Sequence, residues 1–366
     1  MTAADVVLLR ALAARPRLTG TDDLASARLH CASLLRGMGF AVRERPFTYS
    51  ALPARCGMPA VGLASIALLG ATLTVARARG PGWALAAAAT GVLLLAGLAR
   101  WLSSAWALRV PAARARGVNL EATRGDGAPD LWLVAHLDSK SQRYPLALRA
   151  AGASLTIAAW IVAISLSAVG VAGIGGWRLL WISWAVGAVG GALLLFVGTG
   201  NDSLGAVDNA SGVVAVLSAA RRLDPRMAVG VLLTDAEEMG LAGAHEWAAS
   251  RAAGTAINCD TVDDRGAYAV LGSGRRSAAL AAAVERAAHT LALPLAVRRL
   301  PAGILTDGVA LARAGWRAVT VSRAGVATLL RIHTRRDVVG PLDGTGIETV
   351  AALLAATANE VHRWPS

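Results

Sequence analysis

Leu131-Trp132-Leu133-Val134-Ala135-His136-Leu137-Asp138 is the stretch whose reading decides the fold. Five apolar residues run without a break and then give way to an imidazole and a carboxylate. A strand with one wet face alternates apolar and polar residues, whereas a strand covered on both faces reads as a continuous apolar run. Such strands lie in parallel sheets flanked by helices, and ligands gather at their carboxyl ends.

Outward from this run the same grammar repeats. Ala228–Thr234 and Ala256–Cys259 read as two further buried strands, followed by Asp235-Ala236-Glu237-Glu238 and by Asp260. Phe40–Arg45, Gly117–Ala122 and Arg317–Val321 read as strands of a more mixed kind. Helices are expected over Ser211–Leu223, Leu241–Ala253, Ser277–Leu291 and Thr345–Arg363. The N-terminus reads as an amphipathic helix ending near Arg17 to Gly20. A second helix, capped by Asp22 and Asp23, runs to about Met38 with Gly39 as its stop. Strands alternating with helices predict an α/β fold with a mixed, largely parallel sheet flanked by helices.

Composition adds a second part. The chain has 366 residues, of which 55% are hydrophobic and 16% charged. A soluble domain carries about 25% charged residues. Four uncharged runs account for the difference: Gly57–Ala76, Gly80–Ala99, Ala150–Trp177 and Leu179–Asn201. A bilayer span needs about 20 apolar residues. Arg77-Ala78-Arg79 joins the first two runs and Gly175-Gly176-Trp177-Arg178 the second two, so they predict two transmembrane hairpins. Trp83, Trp101, Trp106, Trp177 and Trp181 near the run ends suit the interfacial belts. The expected division is one polar domain built from 1–56, 100–149 and 202–366, with hairpins at 57–99 and 150–201.

The net charge of +12 rests almost wholly on arginine, Lys140 being the only lysine. No arginine cluster is interleaved with aromatics, so no nucleic-acid partner is expected. The hairpin tips hold Arg77, Arg79 and Arg178. The opposite flanks hold Arg43, Arg45, Arg55, Arg100, Arg109, Arg114, Arg116, Lys140, Arg143 and Arg149. Positive flanks stay cytoplasmic. The expectation is a multi-pass plasma-membrane protein with its polar domain in the cytoplasm, its partners being the lipid bilayer and a substrate. The N-terminal stretch, broken by Asp5, Arg10 and Arg15, does not read as a signal peptide. Cys31, Cys56 and Cys259 form no CxxC pair and no disulfide framework, and Cys259 reads as a small buried residue.

The polar strand ends carry the chemistry. His136, Glu238 and Asp260 follow buried strands, Asp208 opens a helix, and His333 lies in a late loop. Taken singly, a histidine at a strand end, a pair of glutamates and an aspartate at a helix start are ordinary structural features. Together they offer two imidazoles and several carboxylates, a donor set for zinc or a similar divalent ion. Two metals held about 3.5–4 Å apart form a common hydrolytic clamp, and a bridging carboxylate is the natural way to hold them.

These segments resemble the di-zinc exopeptidases typified by bacterial leucyl aminopeptidases and aminopeptidase Y. The resemblance rests on Ala135-His136-Leu137-Asp138-Ser139, Gly205-Ala206-Val207-Asp208-Asn209-Ala210-Ser211-Gly212 and Ala236-Glu237-Glu238-Met239-Gly240-Leu241-Ala242-Gly243. Asn258-Cys259-Asp260, Ile332-His333-Thr334-Arg335-Arg336-Asp337 and Arg17-Leu18-Thr19-Gly20-Thr21 extend it over everything except the four apolar runs. It implies a peptide substrate and two Zn2+ ions, or another divalent metal. His136, Asp208 and Asp260 would hold one ion, and Asp208, Glu238 and His333 the other, with Asp208 bridging. Glu237 would be the general base acting on a metal-activated water, and Asp138 would orient His136.

Two departures stand out. Where the family often has Ser-Asp-His, this chain has Thr306-Asp307-Gly308, so Asp307 remains and the histidine is absent. The second hairpin falls between Asp138 and Asp208, which suggests an active-site mouth facing the bilayer surface and substrates close to it. The function these residues predict is a membrane-embedded zinc exopeptidase of aminopeptidase type. Carboxypeptidases and amidohydrolases share the metal arrangement. A glutaminyl cyclase would depend on a different, effectively single-zinc site. A non-catalytic membrane adaptor on a peptidase fold would have lost ligands. A transporter would want ionisable residues within the apolar runs.

Overall fold

The structure is a computed structural model that describes residues 1–129, 131–142, 146–272, 274–300 and 304–364. Arg143, one of the flanking basic residues, lies outside the described residues. The chain divides into two compact units. One comprises Met1–Tyr49, Arg114–Ser141 and Gly200–Ser366, and the other Ser50–Ala113 and Gln142–Thr199.

The first unit opens with α1 (Ala3–Leu12) and α2 (Asp22–Gly37). Its strands are β1 (Ala41–Ser50), β2 (Arg114–Arg124) and β3 (Leu131–His136), then the two-residue strands β4 (Ser141–Gln142) and β5 (Thr199–Gly200). They continue with β6 (Val229–Thr234), β7 (Thr255–Val262), β8 (Ala267–Gly272), β9 (Leu295–Arg299) and β10 (Arg317–Ala324). Eight of them form one sheet in the order β1-β2-β6-β3-β7-β10-β8-β9. The central four, β6, β3, β7 and β10, are parallel, and β2 and β8 join them antiparallel. The fold is therefore mixed α/β with a mostly parallel sheet.

Side-chain alternation explains the unbroken apolar runs. Leu131, Leu133 and Ala135 enter one core with Val229, Val231, Leu233, Ile257 and Val319. Trp132 and Val134 point the other way, into a second core with Leu232, Trp247 and Trp316. Both faces of β3 are dry, so neither register can be polar. α7 (Ser211–Arg222) and α12 (Thr345–Val361) supply residues to the larger core, as does α9 (Ala278–Thr290). α8 (Ala242–Ala249) and α10 (Asp307–Arg313) serve the smaller one, and α11 (Val326–Leu329) follows β10.

Several boundaries differ from the sequence reading, each for a local reason. α1 stops at Leu12 rather than near Arg17, because the Arg17 guanidinium turns inward and donates to the Leu12 carbonyl. Thr21, not Asp22 or Asp23, caps α2, its hydroxyl accepting from Leu24 N. Leu241 adopts φ +63°, so α8 begins only at Ala242, and it closes at Ala249. β8 and β9 carry no expectation from sequence, since their residues are half exposed and leave no apolar run.

Arg17 and Asp5 anchor the N-terminal segment. Arg17 is buried and donates to the carbonyls of Leu137 at 2.9 Å, Leu204 at 2.8 Å and Gly205 at 3.0 Å, besides Leu12. Burial pulls its guanidinium down to about 10, so it remains charged at neutral pH. An orphaned buried acceptor costs about 1–3 kcal/mol. Arg17→Leu should thus lose about 4 kcal/mol or more of stability, read as a drop in the unfolding midpoint in detergent. An unchanged midpoint would show that these carbonyls find other donors.

Asp5 closes a capping box with Thr2 and pairs with both terminal nitrogens of Arg221 at 3.1 Å. Burial opposes its ionisation, but the Thr2 hydroxyl, the Thr2 amide and Arg221 together hold the carboxyl below the ordinary 3.8. A lowered folded pKa gives stability that is present above 3.8 and disappears as pH falls through the folded value. Asp5→Asn should therefore be about 1–2 kcal/mol less stable than wild type at neutral pH. The two proteins should converge in acid; a gap independent of pH would remove the ionic part of the account.

The second unit holds α3 (Leu52–Arg79), α4 (Pro81–Leu102), α5 (Leu146–Val171) and α6 (Leu180–Leu195). All four are long and apolar enough to cross a membrane, the last when counted with the turn before it as Trp177–Leu195. Small residues let them approach: a Cβ on Gly91 would strike the Trp160 ring, and Gly62 faces the Gly191 carbonyl. The Trp160 indole donates to Ser65 Oγ at 2.8 Å, and the Ser183 hydroxyl donates to the Ala159 carbonyl. Close backbones and cross-helix hydrogen bonds are what hold apolar helices together when burial alone cannot.

Candidate metal centre

The donors converge at the carboxyl ends of β3, β6 and β7. His136 is the last residue of β3, and Asp260 lies near the end of β7. The turn after β6 carries Glu237 and Glu238. Asp208 sits in an irregular turn over Ala206–Ala210 that opens α7, with the non-helical dihedrals φ −120° and ψ 88°. His333 follows α11 at φ +59°.

Supporting bonds hold these donors from behind. Asp337 accepts from Val207 N at 2.7 Å and Asp208 N at 3.1 Å, which fixes the turn carrying Asp208. Gly205 precedes that turn at φ +58°, and a Cβ there would collide with Ser139 and the Asp208 carbonyl. Asn209 ties the same turn to β7, donating to the Cys259 carbonyl at 2.9 Å. Cys259 is buried, and burial with neighbouring Asp260 pushes its thiol up, so it serves no thiolate role.

Asp208 stands between the two imidazoles. Its Oδ1 lies 3.0 Å from His136 Nε2, and its Oδ2 lies 2.9 Å from His333 Nε2. Asp260 Oδ1 lies 3.7 Å from His136 Nε2, and Glu238 Oε1 lies 3.0 Å from His333 Nε2. Two groups of donors able to hold a cation result: His136 with Glu237 and Asp260, and Asp208 with Glu238 and His333. The structure therefore brings together all five proposed ligands and Glu237.

Asp138 differs from its expected place. His136 Nδ1 meets the main-chain oxygen of Asp138 at 3.0 Å, whereas the carboxylate Oδ1 is 3.6 Å away. That carboxylate instead accepts from Glu237 N at 3.2 Å and Glu238 N at 3.1 Å. Asp138 thus fixes the imidazole through its backbone and the two glutamates through its side chain.

The electrostatics suit a divalent cation. Burial works against a charged His136, yet Glu237, Asp138, Asp208 and Asp260 outweigh it and raise the imidazole well above its ordinary value. His333 is driven the same way to about 9, burial being overcome chiefly by Glu238. Asp208 is held below the carboxylate range, burial being overcome by both imidazoles. Burial raises Glu237 well above its ordinary value. Glu238 Oε1 is buried and faces His333 Nε2 at 3.0 Å, with Asp208 beside them, a place where a cation would meet all three. Buried anions of this density need cationic partners, and imidazole with carboxylate oxygen is a zinc-type set.

Three neighbours complete the picture. Asp307 is fully buried, accepts from the Thr234 hydroxyl and feels His136, Asp138 and Asp260; burial lifts it to about 7. Gly308 has a physical reason: any Cβ there would collide with Thr320 Oγ1, so no imidazole fits beside that threonine. Asp235, part of the acidic run after β6, lies in neither donor group and binds Val118 N at 2.8 Å. Lys140 reaches the centre as well, with Nζ 2.7 Å from Glu238 Oε2. Sequence reasoning treated it only as a basic flank, although its standing as the sole lysine was a usable signal.

Comparison with known proteins finds likenesses in both sequence and fold. Residues 185–358 match the family model of Peptidase family M28, a segment that includes Asp208, Glu237, Glu238, Asp260 and His333 but not His136. None of the curated proteins compared with the chain matches it.

Among solved structures, the aminopeptidase from Aneurinibacillus sp. strain AM-1 is similar at TM-score 0.58 and 15% identity, over 98% of this chain and 93% of that one. A zinc aminopeptidase from Bacillus subtilis is similar at TM-score 0.57 and 13% identity, over 97% and 94%. Porphyromonas gingivalis glutaminyl cyclase is similar at TM-score 0.56 and 15% identity, over 98% and 97%. These likenesses show a shared fold.

Proposed function

We propose that this chain is a zinc-dependent exopeptidase of aminopeptidase type, carried in a membrane by the four apolar helices. The observation that carries the reading is the placement of Asp208, which turns one oxygen towards His136 and the other towards His333. The surrounding donors fit two ions: His136, Asp208 and Asp260 would hold one, and Asp208, Glu238 and His333 the other. Bound there, the ions would polarise the scissile carbonyl and acidify water.

The chain's own residues do the rest. Glu237 takes a proton from the attacking water onto its carboxylate and passes it to the leaving amine. Its carboxylate is buried beside His136 and Asp260, within reach of a proton from water held there. Asp138 keeps Glu237 and Glu238 in place through their amides. The arginine bias of the flanks favours a cytoplasmic catalytic part in the plasma membrane, acting on short peptides or protein termini. A second reading, glutaminyl cyclase, draws on the fold shared with such enzymes.

The deciding experiment measures metal content and activity of the detergent-purified protein on aminoacyl-p-nitroanilides, N-blocked peptides and N-terminal glutaminyl peptides. About two zinc ions per chain with cleavage of free-amino substrates only is the expected result. Cleavage confined to blocked substrates would replace it with a carboxypeptidase or amidohydrolase. Cyclisation without cleavage would replace it with the cyclase, and a metal-free inert protein with an adaptor.

A further inference from the structure

We propose that Lys140 is a positioning residue for the ligand Glu238, holding its carboxylate so that it offers a single oxygen to a metal. The inference rests on the two-ion reading above. Lys140 Nζ lies 2.7 Å from Glu238 Oε2 and donates to the main-chain oxygen of Glu238 at 3.4 Å. One ammonium thus grips both ends of the residue, while Asp138 Oδ2 accepts from its amide at 3.1 Å. Glu238 Oε1 is left facing Asp208 and His333, 3.0 Å from His333 Nε2. With Oε2 gripped by the ammonium, Oε1 is the oxygen left to face a cation.

The choice of residue carries the same message. The chain has 36 lysines and arginines, and only this one is lysine. Everywhere else a basic side chain is a guanidinium. A guanidinium is a wide planar fork of five donors, whereas an ammonium is a compact point of three. Here one point donor reaches both an oxygen of the Glu238 side chain and that residue's own carbonyl.

The sign of the effect separates positioning from simple charge. A cation beside a metal opposes it by Coulomb repulsion, so removing Lys140 as a mere charge would tighten metal binding. Removing it as a positioning residue frees the carboxylate and weakens binding. Loss of a residue that orients a ligand costs about 10–100-fold in metal affinity.

The test is a stepwise Zn2+ titration of the full chain, stripped by chelator in detergent, for wild type, Lys140→Met and Lys140→Arg. The expected result is a first ion bound as in wild type and a second bound at least about tenfold more weakly in Lys140→Met. Lys140→Arg, which restores charge but not the compact ammonium, should stay weakened. A second ion bound equally or more tightly in Lys140→Met overturns the proposal, as does equal weakening of both ions. Should Lys140→Met fail to fold, Lys140→Gln carries the same expectations. A wild type that takes up no ion would overturn the two-ion reading itself, a different failure.

Discussion

Glu237→Gln should lose about 10²–10⁴-fold in turnover while keeping its full metal content, because general-base catalysis contributes about that much. The amide has nearly the shape of the carboxylate but cannot accept the water's proton. The backbone around it is held independently, since Asp138 bonds the amides of residues 237 and 238 and not the Glu237 side chain. Substrate affinity should therefore change little, and the loss should appear in kcat. The check is metal analysis and steady-state kinetics on the same preparation. If turnover survives within tenfold, Glu237 is not the base. If metal is lost with it, Glu237 is a ligand, which its place beside His136 and Asp260 makes a concrete rival.

Asp208→Asn should produce the complementary loss. Among the described residues, Asp208 is the carboxylate within 3.0 Å of both imidazoles. Its replacement exchanges two anionic oxygens for one neutral oxygen and an amide nitrogen that cannot bind a cation. Metal content should fall from two ions to one or none. Affinity should weaken by more than about 100-fold, beyond what loss of a residue merely supporting a ligand costs. Turnover should vanish with it and not return when zinc is added at modest excess. Two ions bound with undiminished affinity would end the bridging assignment. The two variants together separate holding the metal from moving the proton.

The site was legible in sequence to an unusual depth, and its gaps have physical causes. His136, Asp208, Glu238 and Asp260 stand at the ends or starts of elements whose pattern is visible locally, whereas His333, in a loop, was picked out by the family resemblance. The family resemblance implied that Asp138 orients His136. The fold shows its carboxylate turned to the turn after β6, which is remote in sequence. Lys140, Asp337 and Arg17 act through contacts spanning 98, 130 and 188 positions of sequence. No local pattern announces such pairs.

Residue order carries the central strands, the four apolar helices and the chemical kinds of donor, because burial on both faces and long uncharged runs leave their mark residue by residue. It was silent on β8 and β9, whose half-exposed residues carry no periodic signal. Tertiary structure alone decided that Asp208 would stand between two imidazoles, that Asp138 would support the glutamates, and that Thr320 would forbid a side chain at Gly308. Hydropathy is a property of each residue and survives in a linear string. The distance between two donors is a property of how strands register and turns are braced, and it exists only once the chain has folded.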